Sequence, residues 1–118
     1  MAADKPEQQT LLTRIRELLP DLADTREVAM FGGRAIMVNN KMIVSVATSG
    51  DLLVRVAPDK HAALVTKAGA TQAEMGHNRR MGPGWITVAA KALTTREDLH
   101  FWVSTALEYN EKLTDKQP

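Results

Sequence analysis

The sequence predicts an α+β fold, an antiparallel β-sheet with helices packed on one face, in the order α-β(3-4)-α-β(2)-α. Three observations carry this expectation. Amphipathic helical stretches stand near both ends of the chain, at residues 6–19 and 95–113. Between them lie short runs rich in Val, Ile and Met, each closed by Asn, Gly or Pro. The spacers within 26–56 are two to four residues long, which suits hairpins and is too short for the crossover that parallel strands need.

Pro6 suits the first turn of a helix, where a missing N–H costs nothing. Leu11, Leu12, Ile15, Leu18 and Leu19 follow at helical spacing, and Pro20 ends the run. Residues 26–31 read as a strand, then Gly32-Gly33, then a second strand over 34–38. Asn39-Asn40 forms a two-residue hairpin turn, because Asn tolerates positive φ. A third strand spans 42–47 and a fourth 52–56.

The loop after the third strand holds two, three or four residues. Three (Thr48, Ser49, Gly50) put glycine at the left-handed position such loops require. That choice pairs Val46 with Leu52 and Val44 with Val54, whereas an even number places Arg55 beside Val44 in the core. With Asn39-Asn40 as the first turn, Ile36 is expected opposite Ile43 and Ala35 opposite Val44. One face then reads Ala35, Met37, Met42, Val44, Val46, Leu52, Val54 and Val56. The other carries an apolar strip of Ile36, Ile43 and Leu53 edged by Arg34, Lys41 and Arg55. An exposed apolar strip rimmed by charge marks a partner surface. Arg34, Ile36, Ile43, Leu53 and Arg55 are therefore the expected partner-binding residues.

Pro58-Asp59 opens a short helix with His61, Leu64, Val65 and Ala68 on one face, stopped by Gly69. A polar stretch precedes the strand 85–89. Thr94-x-x-Glu97 reads as a capping box for the last helix, whose stripe is Leu99, Trp102, Val103, Ala106, Leu107 and Leu113.

The 118 residues suffice for one domain, with a core over about 7–113 and frayed ends at 1–5 and 114–118. A net charge of +1 gives no global pull toward nucleic acid or anionic membrane, although residues 51–91 hold six bases against three acids. Cysteine is absent, which removes disulfides and thiolate chemistry. No apolar run nears the ~18–20 residues that span a bilayer, and Met1-Ala-Ala-Asp-Lys-Pro-Glu is too polar for a signal peptide. A cytoplasmic protein is expected.

Gly32-Gly33 lead into a strand. A phosphate-binding glycine loop opens a helix whose N-terminal amides face the anion, so this pair is read as a structural turn or close approach. Of the three histidines, none pairs with another at i, i+4, and no metal site is expected. No serine stands on a nucleophile turn, and no carboxylate pair suits acid–base work. No catalytic residue and no cofactor is expected. The loop "GHNRRMGPGW" is the second candidate site: Arg79 and Arg80 with His77 would grip an anion, and Trp85 would flank it.

The stretches "MFGGRAIMVNNKMIVSVATSGDLLVRVAPDKHAAL" and "RRMGPGWITV", with the closing amphipathic helix, resemble the N-terminal domain of the TfoX/Sxy family over about residues 10–113. The MFGG hairpin is the most specific part. The resemblance implies a secretion-chaperone-like α+β architecture. It also implies a regulatory, non-enzymatic role: founding members are two-domain regulators of natural competence, acting with a cyclic-AMP-responsive transcription activator. A protein partner or a second copy of the chain is the expected partner, with an indirect link to transcription and no direct nucleic-acid binding. An anion- or nucleic-acid-binding module built on residues 77–85 is the alternative.

Overall fold

Two asparagines and a glycine set the register of the first hairpins. The computed structural model describes residues 6–19, 25–30, 33–74 and 81–115. Helix α1 (Pro6–Leu18) precedes four strands: β1 (Thr25–Met30), β2 (Gly33–Val38), β3 (Lys41–Ala47) and β4 (Leu52–Arg55). A 3₁₀ turn at Pro58–Lys60 runs into the short α2 (His61–Leu64). Strands β5 (Ala70–Gln72) and β6 (Trp85–Val88), a second 3₁₀ turn at Ala90–Leu93 and the long α3 (Arg96–Asp115) follow. The six strands form one antiparallel sheet in the order β1-β2-β3-β4-β6-β5.

Asn39 and Asn40 both adopt left-handed backbone, φ 54° and 67°, the conformation that matches a two-residue turn to strand twist. Val38 accordingly faces Lys41 and Met37 faces Met42. Gly50 has φ 92°, and the Ala47 N–H donates to Asp51 O at 2.9 Å, closing a three-residue loop. Val46 pairs with Leu52 and Val44 with Val54, as expected from the loop length.

The upper part of the β2–β3 hairpin departs from the expected register. A bulge between Ile36 and Met37 sets Ile36 opposite Val44 and Ala35 opposite Ser45. Ile43 is the extra residue, and an extra residue breaks the strict alternation of faces. Ile36, Ile43 and Val44 consequently all join the core.

That core lies on one side of the sheet. Leu11, Leu12 and Ile15 of α1 and Leu99, Trp102, Val103 and Ala106 of α3 form one cluster with Val38, Val46, Leu52, Val54, Ile86 and Val88. Each of the Val, Leu and Ile side chains among them contributes roughly 1.5–3 kcal/mol on burial. Asn110, buried, donates from Nδ2 to Val38 O at 2.8 Å and so ties the end of α3 to the Asn39-Asn40 hairpin. Arg16 of α1 forks onto Glu27 of β1 at 2.5 and 2.8 Å. That hydrogen bond raises the pKa of Arg16 above its ordinary value.

Two local details differ from expectation. Thr94 has helical backbone as the end of the preceding 3₁₀ turn, φ −73° and ψ −28°. The cap falls to Thr95, whose Oγ1 accepts the Asp98 N–H at 3.0 Å. Ala70–Gln72, expected within a polar stretch, forms the edge strand β5. It pairs with β6 through Ala70–Val88 and Gln72–Ile86.

Gln8 is fully buried in α1. Its Nε2 donates to Val46 O at 2.8 Å, while its Oε1 is buried without a hydrogen-bond partner among the described residues. The bond gained and the orphaned oxygen nearly offset each other, so Gln8→Met is expected to stay within about 1 kcal/mol of wild type. Gln8→Ala leaves a cavity and is expected to lose about 2–3 kcal/mol. Urea unfolding of the two variants side by side tests this. Equal losses would mean that the hydrogen bond, rather than the filled volume, is what matters at this site.

Candidate functional site

Strand alternation assigns residues to the sheet face turned away from the core: Arg26 and Val28 on β1, Ala35 and Met37 on β2, and Met42 and Ser45 on β3. Leu53 and Arg55 on β4, Thr87 and Trp85 on β6, and Thr71 on β5 also lie on it. Ala35, Met42 and Ser45 are buried within it; Val28, Met37, Leu53, Arg55, Trp85 and Thr87 are half-buried; Arg26 and Thr71 are exposed.

Of the five residues expected to bind a partner, Leu53 and Arg55 lie on this face. Ile36 and Ile43 do not: each is only 1% exposed and belongs to the core. The bulge is the reason, because it shifts the β2–β3 pairing above Met37 by one residue. Arg34 alternates with Ala35 and so shares the face of Ile36. The apolar strip thus reduces to Leu53 with Val28 and Met37.

Arg55 has the most distinctive surroundings. It closes β4 and pairs with Trp85. Its guanidinium carbon lies 5.3 Å from the centroid of the Trp85 ring and 5.6 Å from that of Tyr109 on α3. Among the described residues the guanidinium makes no hydrogen bond or ion pair. A guanidinium in contact with two aromatic rings is attracted by their quadrupoles while its N–H donors stay available.

Trp85 is itself anchored through the preceding glycine. The Gly84 N–H donates to His61 Nδ1 at 2.8 Å, and Gly84 O accepts the Val56 N–H at 2.8 Å. His61, on the first turn of α2, therefore pins the start of β6. The remaining members of the expected anion site, His77, Arg79 and Arg80, lie outside the described residues, as does Gly32. Gly33 begins β2, where its backbone passes close to Val46.

One contact escaped the sequence reading. Ser104 Oγ lies 3.2 Å from His100 Nε2, one helical turn along α3, and their i, i+4 spacing was the available signal. His100 is exposed, and no carboxylate orients its ring among the hydrogen bonds of the described residues, so the pair lacks the third member that activates a serine. No group of three His, Cys, Asp or Glu that would hold a metal gathers among the described residues.

Compared with known families, residues 17–109 match the TfoX N-terminal domain. The chain belongs to that family. No curated protein and no solved structure matches it. The stretch matching the TfoX N-terminal domain runs from the end of α1 to Tyr109, so it includes Arg55, Trp85 and Tyr109. No described helix of this TfoX-type domain is long and apolar enough to cross a membrane.

Proposed function

We propose that this TfoX N-terminal domain is a non-enzymatic, regulatory protein-interaction domain that works through the sheet face opposite α1 and α3. One observation carries the reading: both large helices join a single core on one side of the sheet, while Leu53, Val28 and Met37 stay partly accessible on the other, beside Arg26 and Arg55. Half-buried aliphatic groups edged by cations suit a surface that is completed by a partner.

Leu53→Asp tests this. The side chain points away from the core, so the variant is expected to fold with unchanged circular dichroism and to lose capture of its partner from the native cell. Light scattering on the same samples shows whether the partner is a second copy. Unchanged capture and unchanged mass in Leu53→Asp would overturn the reading.

A further inference from the structure

We propose that Arg55, at the end of β4 where the outer sheet face meets the C-terminal half of α3, is the docking point for a carboxylate of an acidic protein segment laid along that face, with the Trp85 and Tyr109 rings beside the guanidinium. The inference rests on the reading of that face as an interaction surface and names the chemistry of the partner.

Three observations converge. The Arg55 guanidinium is half-buried and without a hydrogen bond or ion pair among the described residues. Two rings lie against it, Trp85 at 5.3 Å and Tyr109 at 5.6 Å. A guanidinium so placed offers a planar fork that matches a carboxylate with two parallel N–H···O bonds. Finally, the described outward positions of the strands include two arginines, Arg26 and Arg55, and no acid. Glu27, the acid of β1, alternates to the helix side and is forked by Arg16.

The charge asymmetry also selects among occupants. Two copies joined face to face by a twofold axis would bring this surface against itself, setting arginine near arginine with no acid between them, and like charges across an interface disfavour association. An acidic segment of another chain satisfies both Arg55 and Arg26 and lets an aliphatic neighbour rest on Leu53.

The test uses the whole chain and a capped hexaglutamate peptide, with capped hexaglutamine and inorganic phosphate as the other arms. The ¹⁵N resonances of Arg55 Nε–H and Trp85 Nε1–H are followed by NMR. Hexaglutamate is expected to shift both saturably, with an affinity that falls as salt rises, while hexaglutamine and phosphate leave them in place. Arg55→Gln should abolish the response at Trp85. Arg55→Lys, which keeps the charge but loses the fork, should weaken binding about tenfold. Arg26→Gln, at an exposed position of the same face, should change it about twofold.

No shift of Arg55 with hexaglutamate overturns the proposal, and so does an equal response to phosphate, which would assign the site to free anions. If Leu53→Asp abolishes partner capture while hexaglutamate leaves Arg55 unmoved, the carboxylate inference fails and the interaction face stands. A peptide that binds at Arg55 while Leu53→Asp changes no capture supports the carboxylate site and removes the wider face.

Discussion

Replacing Gly33 with alanine is expected to cost about 1–3 kcal/mol or more, the range for forcing extra volume into a packed site. Thermal unfolding should fall by roughly 10 °C, since a domain near this size loses about 4–8 °C per kcal/mol. The reason is local. A Cβ on Gly33 would sit 2.3 Å from Val46 O, 2.9 Å from Val46 C and 3.1 Å from Ala47 Cα. All three are backbone atoms, so no side chain can rotate away and the strands themselves must separate. The separation would occur where Gly33 pairs with Ala47 and where Gln8 bonds to Val46 O, so α1 would loosen together with the β2–β3 ladder. Gly82→Ala is the control. Gly82 has φ 94° but open space around its Cβ direction, so it should lose only the roughly 1–2 kcal/mol of left-handed backbone strain. Gly33 is not among the glycines with positive φ, so a loss at residue 33 no larger than that at residue 82 would mean that the strands admit the Cβ without separating.

The first hairpins were legible because turn chemistry is local. Asn39-Asn40 and Gly50 state their loop lengths directly, and register follows from loop length. The bulge was not legible. Met42, Ile43 and Val44 are all apolar, so nothing within β3 marks the extra residue, and the polar cost of the shift falls at strand ends, where Arg34 and Lys41 turn to the helix side. Ile36 and Ile43 consequently read as accessible although both belong to the core. Two strands were expected between α2 and α3, but the place of β5 was hidden for another reason: three residues with Thr and Gln show no useful periodicity, and pairing with β6 fixes them from outside. The site divides the same way. Arg55 and Leu53 could be placed on the outer face from the β3–β4 loop alone, and Trp85 was singled out for its loop. That Tyr109 would complete the Arg55 setting was not available from spacing, since it arrives on a helix 54 positions later whose approach is decided by tertiary packing.

Trp102→Ala is expected to cost about 3–5 kcal/mol, the usual range for removing a buried aromatic. Against a total stability of roughly 6–18 kcal/mol for a chain of this length, that is a large fraction, and the urea midpoint should fall steeply. Trp102 sits in the core beneath α3, with Phe101 edge-on at 5.2 Å and 83°. Phe101 is largely at the surface, with the Lys67 ammonium 4.5 Å from its ring centroid, and cannot swing in to fill the void. The consequence extends to the site, because α3 carries Trp102 on its buried side and Tyr109 two turns on. The chain has two tryptophans, so in Trp102→Ala the remaining indole signal reports Trp85 alone. Loosening of α3 should draw Tyr109 away from Arg55 and weaken hexaglutamate binding even under conditions where the variant is folded. Trp102→Phe, which keeps most of the volume, should preserve it. If Trp102→Ala remains folded and binds the peptide as wild type does, Tyr109 plays no part in holding Arg55, and the guanidinium is oriented by Trp85 and its own strand.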